Sequence, residues 1–64
     1  MKVNGETISL LEKTSLLEFL QRNDYAQEKI AVELNGEIIS RSRYAFVILT
    51  DADKLEIVSF VGGG

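Results

Sequence analysis

The chain contains no cysteine and no histidine. Without cysteine there is no disulfide framework. Without either residue the usual zinc sites and the commonest nucleophile–base pairs are excluded together. A self-contained catalyst is hard to build from what remains. No run of apolar residues is long enough to span a membrane, and Met1-Lys2-Val3-Asn4-Gly5 holds neither an apolar signal stretch nor a small-residue cleavage site. The expectation is therefore a cytoplasmic protein that begins folding at its first residue and has no membrane partner. Basic residues are also scarce, with 7 Lys and Arg against 10 Asp and Glu and a net charge of −3. That balance argues against a nucleic-acid backbone as partner and for a basic protein surface, although solubility alone accounts for most of these acids.

What is present is a chain of 64 residues, 45% hydrophobic, with a mean hydropathy near zero at +0.06. A chain of this size buries only about 60% of its extended surface, so it forms one domain and has nothing left for a second core. Asn4-Gly5 lies between short extended runs, and Asn-Gly is the strongest local hairpin signal because both residues tolerate positive φ. A first hairpin is expected there, closed by Ile8, Leu10 and Leu11, with Glu12-Lys13-Thr14 as a polar connection. Ser15 and Glu18 have capping-box spacing, which predicts a helix from Ser15 to about Asn23. Leu16, Leu17, Phe19 and Leu20 form its apolar stripe, and Glu18, Gln21 and Arg22 face solvent.

Ile30, Val32 and Leu34 alternate with Ala31 and Glu33. Asn35-Gly36 then turns the chain into Glu37-Ile38-Ile39. An irregular stretch around Arg41, Arg43 and Tyr44 follows. Ala45 to Leu49 reads as extended, Asp51-Ala52-Asp53 as a turn and Leu55 to Val61 as the last strand. This order requires the helix to cross one face of a single sheet, and a right-handed crossover makes the first and last strands parallel neighbours. The expected fold is α+β, a β-grasp (ubiquitin-like) domain over residues 1–61: one mixed sheet with one main helix packed on one face. Gly62-Gly63-Gly64 follows as a flexible tail.

The tail is the one segment that folding does not require, because glycine adds entropy cost and buries nothing. It reads either as a frayed terminus or as a thread thin enough to enter a cleft in another protein. An α-carboxyl ionises near pH 3.3–3.7, so Gly64 presents an oxygen nucleophile at neutral pH without a base. That oxygen can attack the α-phosphate of ATP to give a mixed anhydride, which a sulfur nucleophile opens. The chain holds no thiol, so another protein must bring the sulfur.

Ser15-Leu16-Leu17-Glu18-Phe19-Leu20, Asn35-Gly36-Glu37-Ile38-Ile39, Asp51-Ala52-Asp53-Lys54-Leu55-Glu56-Ile57-Val58 and Phe60-Val61-Gly62-Gly63-Gly64 together resemble the ThiS family over nearly the whole chain. The acidic turn leading into a strand and ending in Val-Gly-Gly-Gly is the specific part. The resemblance implies a sulfur carrier for the thiazole ring of thiamin. A ThiF-type activating enzyme uses ATP to adenylate Gly64, and a cysteine desulfurase or sulfurtransferase supplies sulfur. A ThiG-type thiazole synthase then takes sulfur from the thiocarboxylate. Gly63 and Gly64 match the family's diglycine, and no cofactor is bound by the chain itself. Family members often carry Trp at the position of Tyr44, Pro at Ser40 and Gly at Ala52. If the Ala52 turn needs positive φ, its methyl costs about 1 kcal/mol, so a turn of another type or a small strain is expected.

Two alternatives remain open: a carrier like the small subunit of molybdopterin synthase, and a non-covalent ubiquitin-like interaction module with an idle tail. Asp51 and Asp53 read as turn formers rather than metal ligands. Arg41, Arg43 and Tyr44 read as a solvated loop or a site for an acidic protein partner rather than a nucleic-acid contact. Strand alternation places Val58 and Phe60 opposite Leu55 and Ile57. There Val58 and Phe60 either form, with Val61 next to them in the chain, a docking patch for the tail's partner, or are covered by Tyr44 to Phe46.

Because the tail carries no packing side chains, deleting Gly63 and Gly64 should leave the melting temperature nearly unchanged while abolishing adenylation. A large drop in melting temperature on truncation would show that the glycines are structural.

Overall fold

The two Asn-Gly pairs set the geometry of the sheet. In the computed structural model, which describes residues 1–10 and 12–60, Asn4 and Gly5 have φ of 50° and 86°, and Asn35 and Gly36 have 52° and 85°. Positive φ at both central positions defines the type I′ turn, whose twist matches that of the strands it joins. The first turn connects β1 (Lys2–Val3) to β2 (Glu6–Thr7).

The helix α1 (Leu16–Arg22) begins at the expected capping box. The Glu18 amide donates to Ser15 Oγ at 3.1 Å, and the Ser15 amide reaches Glu18 Oε1 at 3.5 Å. At the other end the Asn23 side chain donates to the Phe19 carbonyl at 2.8 Å. Asp24 takes φ of 60°, the Asp24 amide donates to the Gln21 carbonyl, and the Tyr25 amide donates to the Leu20 carbonyl. This pattern is a Schellman motif, with Asp in the left-handed position that glycine usually holds. Leu16, Phe19 and Leu20 are buried and Leu17 is half-buried, so the predicted stripe is the core face of the helix.

Past a 3₁₀ turn at Gln27–Lys29 the chain enters β4 (Ile30–Leu34), and the second Asn-Gly turn leads into β5 (Glu37–Ile39). The last strand, β7 (Lys54–Ser59), lies between β1 and β4 in a five-stranded sheet ordered β2-β1-β7-β4-β5. It runs parallel to β1, with Val3 opposite Leu55, and antiparallel to β4, with Val32 opposite Ile57. This is the β-grasp arrangement, one helix on a mixed sheet with the first and last strands as parallel neighbours. Leu55, Ile57, Val32, Ile30 and Ile39 meet Leu16, Phe19 and Leu20 in the core.

Three boundaries differ from the sequence reading. Thr14–Ser15 is not only a polar connection: it forms β3, which pairs with β6 (Ile48–Leu49) in a separate two-stranded ribbon. Thr14 is buried there and satisfies its hydroxyl on the Glu12 carbonyl at 3.0 Å. Ala45 to Leu49 is extended only at β6. Arg41–Arg43 is a 3₁₀ turn that continues into a turn, because the Arg43 carbonyl accepts from both Phe46 and Val47 amides. Tyr44 faces inward, and burial pushes its phenol above the usual range against a smaller opposing effect of Arg41. The Leu55 to Val61 strand is seen from Lys54 to Ser59, while Leu11 and Val61 lie outside the described residues. Among the described residues no helix is long and apolar enough to cross a membrane.

Both turn asparagines also tie their hairpins to β7. Asn4 Nδ2 donates to the Ile57 carbonyl at 3.2 Å and Oδ1 accepts from the Ile57 amide at 2.7 Å. A side-chain amide thus replaces the strand residue that β1 is too short to supply. Asn35 Oδ1 accepts from the Lys54 amide at 2.9 Å, and Nδ2 donates to Asp53 Oδ1 at 2.9 Å. Asn4→Gly keeps the positive-φ turn but removes the bridge, so it should lower stability in urea unfolding by about 1–3 kcal/mol. An unchanged midpoint would mean that the turn alone mattered.

Candidate functional site

Alternation along β7 separates two surfaces. Leu55 and Ile57 point into the core, whereas Val58 is 60% exposed and Phe60 53% exposed. These are the two described residues of the expected docking patch, and they lie on the face the sequence assigned to them. The segment from Tyr44 to Phe46 does not cover them, since Tyr44 is buried in the core and Phe46 is 82% exposed. The third docking residue, Val61, and the tail residues Gly62, Gly63 and Gly64 lie outside the described residues.

Phe60 is held to the sheet by its backbone. Its amide donates to the carbonyl of Lys29, the residue just before β4, at 2.7 Å, so the chain is still tethered one residue past the strand pairing, directly before the last four residues. A large apolar side chain is therefore presented from a fixed backbone at the root of the tail.

The sheet face extends the patch further than the sequence reading did. Register places Ala31 opposite Val58 and Glu33 opposite both Glu56 on β7 and Ile38 on β5. Ile38 is 72% exposed. A hollow of about 140 Å³ is lined by Ala31, Val32, Glu33, Ile38, Glu56 and Val58. Ile38 was missed because Ile38-Ile39 reads as an unbroken apolar pair. The clue lay in the turn: a two-residue Asn35-Gly36 loop fixes the register, so of the two isoleucines only Ile39 meets the buried Val32.

The acidic turn before β7 is structural. Asp51 Oδ1 accepts from the Leu10 amide at 2.9 Å and lies 3.5 Å from the Met1 amine. The Leu10 bond is the main cause that holds its carboxyl below the usual range; desolvation opposes it and the nearby amine adds to it. For Asp53 desolvation acts upward, but hydrogen bonds from Asn35 and from Thr50, whose amide lies 2.8 Å from Oδ2, outweigh it and hold the carboxyl low. Ala52 is not among the positive-φ residues, so the turn is of a type that tolerates its methyl. Among the described residues no group of three or more His, Cys, Asp or Glu side chains is placed to hold a metal. Arg41 and Arg43 are exposed on their 3₁₀ turn. The exposed sheet face offers shape, apolar area and charge.

Comparison with known proteins gives a consistent result. The model of the ThiS family matches residues 1–64. The sulfur carrier protein ThiS of Bacillus subtilis (strain 168) is 40% identical over 65 residues, covering 100% of this chain and 98% of that protein. The crystal structure of a thiamine biosynthesis protein (ThiS) from Geobacter metallireducens superposes with a TM-score of 0.78 at 36% identity, covering 98% of this chain and 96% of the other. A thiazole synthase of Magnetococcus marinus is 40% identical over 62 residues, 97% of this chain, but the chain spans only 19% of the length of that protein.

Since Phe60 is half in solvent and Ile57 is in the core, their replacements by aspartate should separate. Phe60→Asp should change unfolding stability by no more than about 0.5 kcal/mol, whereas Ile57→Asp should cost several kcal/mol, about the penalty of an unpaired buried carboxylate. Equal destabilisation by the two, read in denaturant titrations, would show that Phe60 is a core residue.

Proposed function

The chain belongs to the ThiS family, the sulfur carriers of thiamin biosynthesis, and on that footing we propose that residues 1–61 are a docking domain delivering the Gly62-Gly63-Gly64 tail to its partners' active sites. In the first partner, a ThiF-type activating enzyme, a carboxylate oxygen of Gly64 attacks the α-phosphorus of ATP, pyrophosphate leaves, and an acyl adenylate results. The terminal sulfur of a persulfide, supplied through a cysteine desulfurase or sulfurtransferase, then adds to the acyl carbon and AMP departs. A partner thiol attacks the inner sulfur of the resulting acyl disulfide, forming a disulfide as the S–S bond to the acyl sulfur breaks. Gly64 is left as a thiocarboxylate, from which a ThiG-type thiazole synthase takes sulfur. The carrier binds no cofactor and catalyses none of these steps. It contributes an atom to be modified and a surface to be recognised.

The observation that carries this reading is the open pair Val58 and Phe60 on a backbone still bonded to Lys29, the residue just before β4, directly before the last four residues. Each freely rotating residue between an anchor and a reacting group lowers the chance of correct placement, so an anchor is most useful next to the tail. The match of almost the whole chain to a segment of a protein named thiazole synthase supports thiazole synthase as the acceptor, because such a chain would hold carrier and acceptor together.

Intact-mass and fragment analysis after incubation with the activating enzyme, ATP and a sulfur source tests the reading. Exchange of one oxygen for sulfur is expected, confined to Gly64 and dependent on ATP. A gain elsewhere, or one formed without ATP, overturns the carrier assignment. In the same system Phe60→Asp should weaken binding to the activating enzyme by about 2 kcal/mol or more, the range of an aromatic hot spot.

A further inference from the structure

The outer face of the sheet carries a pair of side chains that the fold gains nothing from. Glu33 on β4 and Glu56 on β7 stand directly opposite each other, and like charges in that relation destabilise a sheet. Glu56 has a partial partner in Lys54, whose Nζ lies 3.8 Å from Oε1, but that pair is exposed and contributes little. Glu33 is half-buried and makes no ion pair among the described residues. Both carboxylates line the hollow of about 140 Å³, whose other walls include Ile38, Ala31 and Val58. Glu33 and Glu56 form one cross-strand row, and the next row of the hollow is apolar, Ala31 opposite Val58. Carboxylates beside an apolar strip match the two parts of a lysine or arginine side chain, a cationic head and an apolar stem.

We propose that Glu33 and Glu56 receive a cationic side chain of the activating enzyme, its head between the two carboxylates and its stem along Ala31 and Val58. The proposal rests on the reading of this sheet face as the docking surface and adds the partner's chemistry, a basic residue set in an apolar surround. Repulsion between the two carboxylates is relieved only in the complex, so the carrier gives up stability when free and gains affinity when bound. The hollow adjoins Val58, and Val58 adjoins Phe60 along β7, so the charge contact and the apolar anchor form one continuous surface leading to the tail. The position also sets the register of docking, since a cation that slides along the face loses one carboxylate.

The test uses the full chain and the purified activating enzyme of the same organism, with Glu33→Gln, Glu56→Gln, the double variant and Phe60→Asp as a control. The double variant should melt at a higher temperature than the wild type and yet bind the enzyme about tenfold more weakly at low salt. Its affinity should also fall less steeply with added salt, because the charge contact is gone. If the double variant binds as tightly as the wild type with the same salt dependence, while Phe60→Asp loses binding, the cation site is overturned and the docking face stands. If Phe60→Asp also binds normally, the docking face itself is wrong. If the wild type alone self-associates in sedimentation and the double variant does not, the cation comes from a second copy and the assignment to the enzyme fails.

Discussion

Every part of this small protein is referred to β7. It is the central strand of the sheet, bonded to β1 on one side and β4 on the other, and its side chains alternate between the core and the open face. Leu55 and Ile57 hold the helix, while Glu56, Val58 and Phe60 make the surface. Because the period of a strand is two, these roles cannot be exchanged singly: a shift of one residue in register would turn the docking residues inward and the core residues outward. The asparagine bridges act on this constraint. Asn4 pairs with Ile57 and Asn35 with Lys54 through their side chains, and each fixes one point of the register that short flanking strands leave loose.

The features legible in the sequence were those with short-range causes. The Asn4-Gly5 and Asn35-Gly36 turns, the Ser15 to Glu18 capping box and the alternation of Ile30, Val32 and Leu34 depend on residues within a few positions of one another, and each was found where expected. The β3–β6 ribbon was not legible, because strands of two residues carry no period. Its partners, Thr14 and Leu49, are brought together only by the fold. Tyr44 likewise goes inside only because its 3₁₀ turn runs back against α1, where its carbonyl accepts the Leu17 amide. On the candidate site, alternation was enough to place Val58 and Phe60. Ile38, and the opposition of Glu33 to Glu56, required knowing which strands pair and in what register.

The division between stability and chemistry follows from composition as much as from shape. A chain without cysteine or histidine has few groups able to perform catalysis, and the polar side chains that it orders most firmly serve the fold. Asp51, Asp53, Asn4 and Asn35 all accept backbone amides. Among the described residues Ile38, Phe46, Ile48, Val58 and Phe60 are large apolar side chains left exposed, and where such residues form a contiguous patch they mark an interaction site. Ile38, Val58 and Phe60 share the sheet face that leads to the tail, which is why that face, and not the ribbon that carries Ile48, is the site favoured for docking.

The bond from the Phe60 amide to the Lys29 carbonyl also bounds where a partner can do chemistry. It is the last described tether of the chain to the sheet, and residues 61–64 beyond it can extend at most about 14 Å. An active site that modifies Gly64 must therefore open within about that distance of the surface on which Phe60 is seated. On the proposed function the bound would apply equally to an enzyme that adenylates the carboxylate and to one that removes sulfur from it, so unrelated partners would need a similar apolar seat at a similar distance from their reacting groups. A carrier with a longer tail would relax that requirement, but each added rotatable residue would dilute the carboxylate over a larger volume. On the proposed function a short glycine tail after the Phe60 tether would keep the end group concentrated where a docked partner can use it.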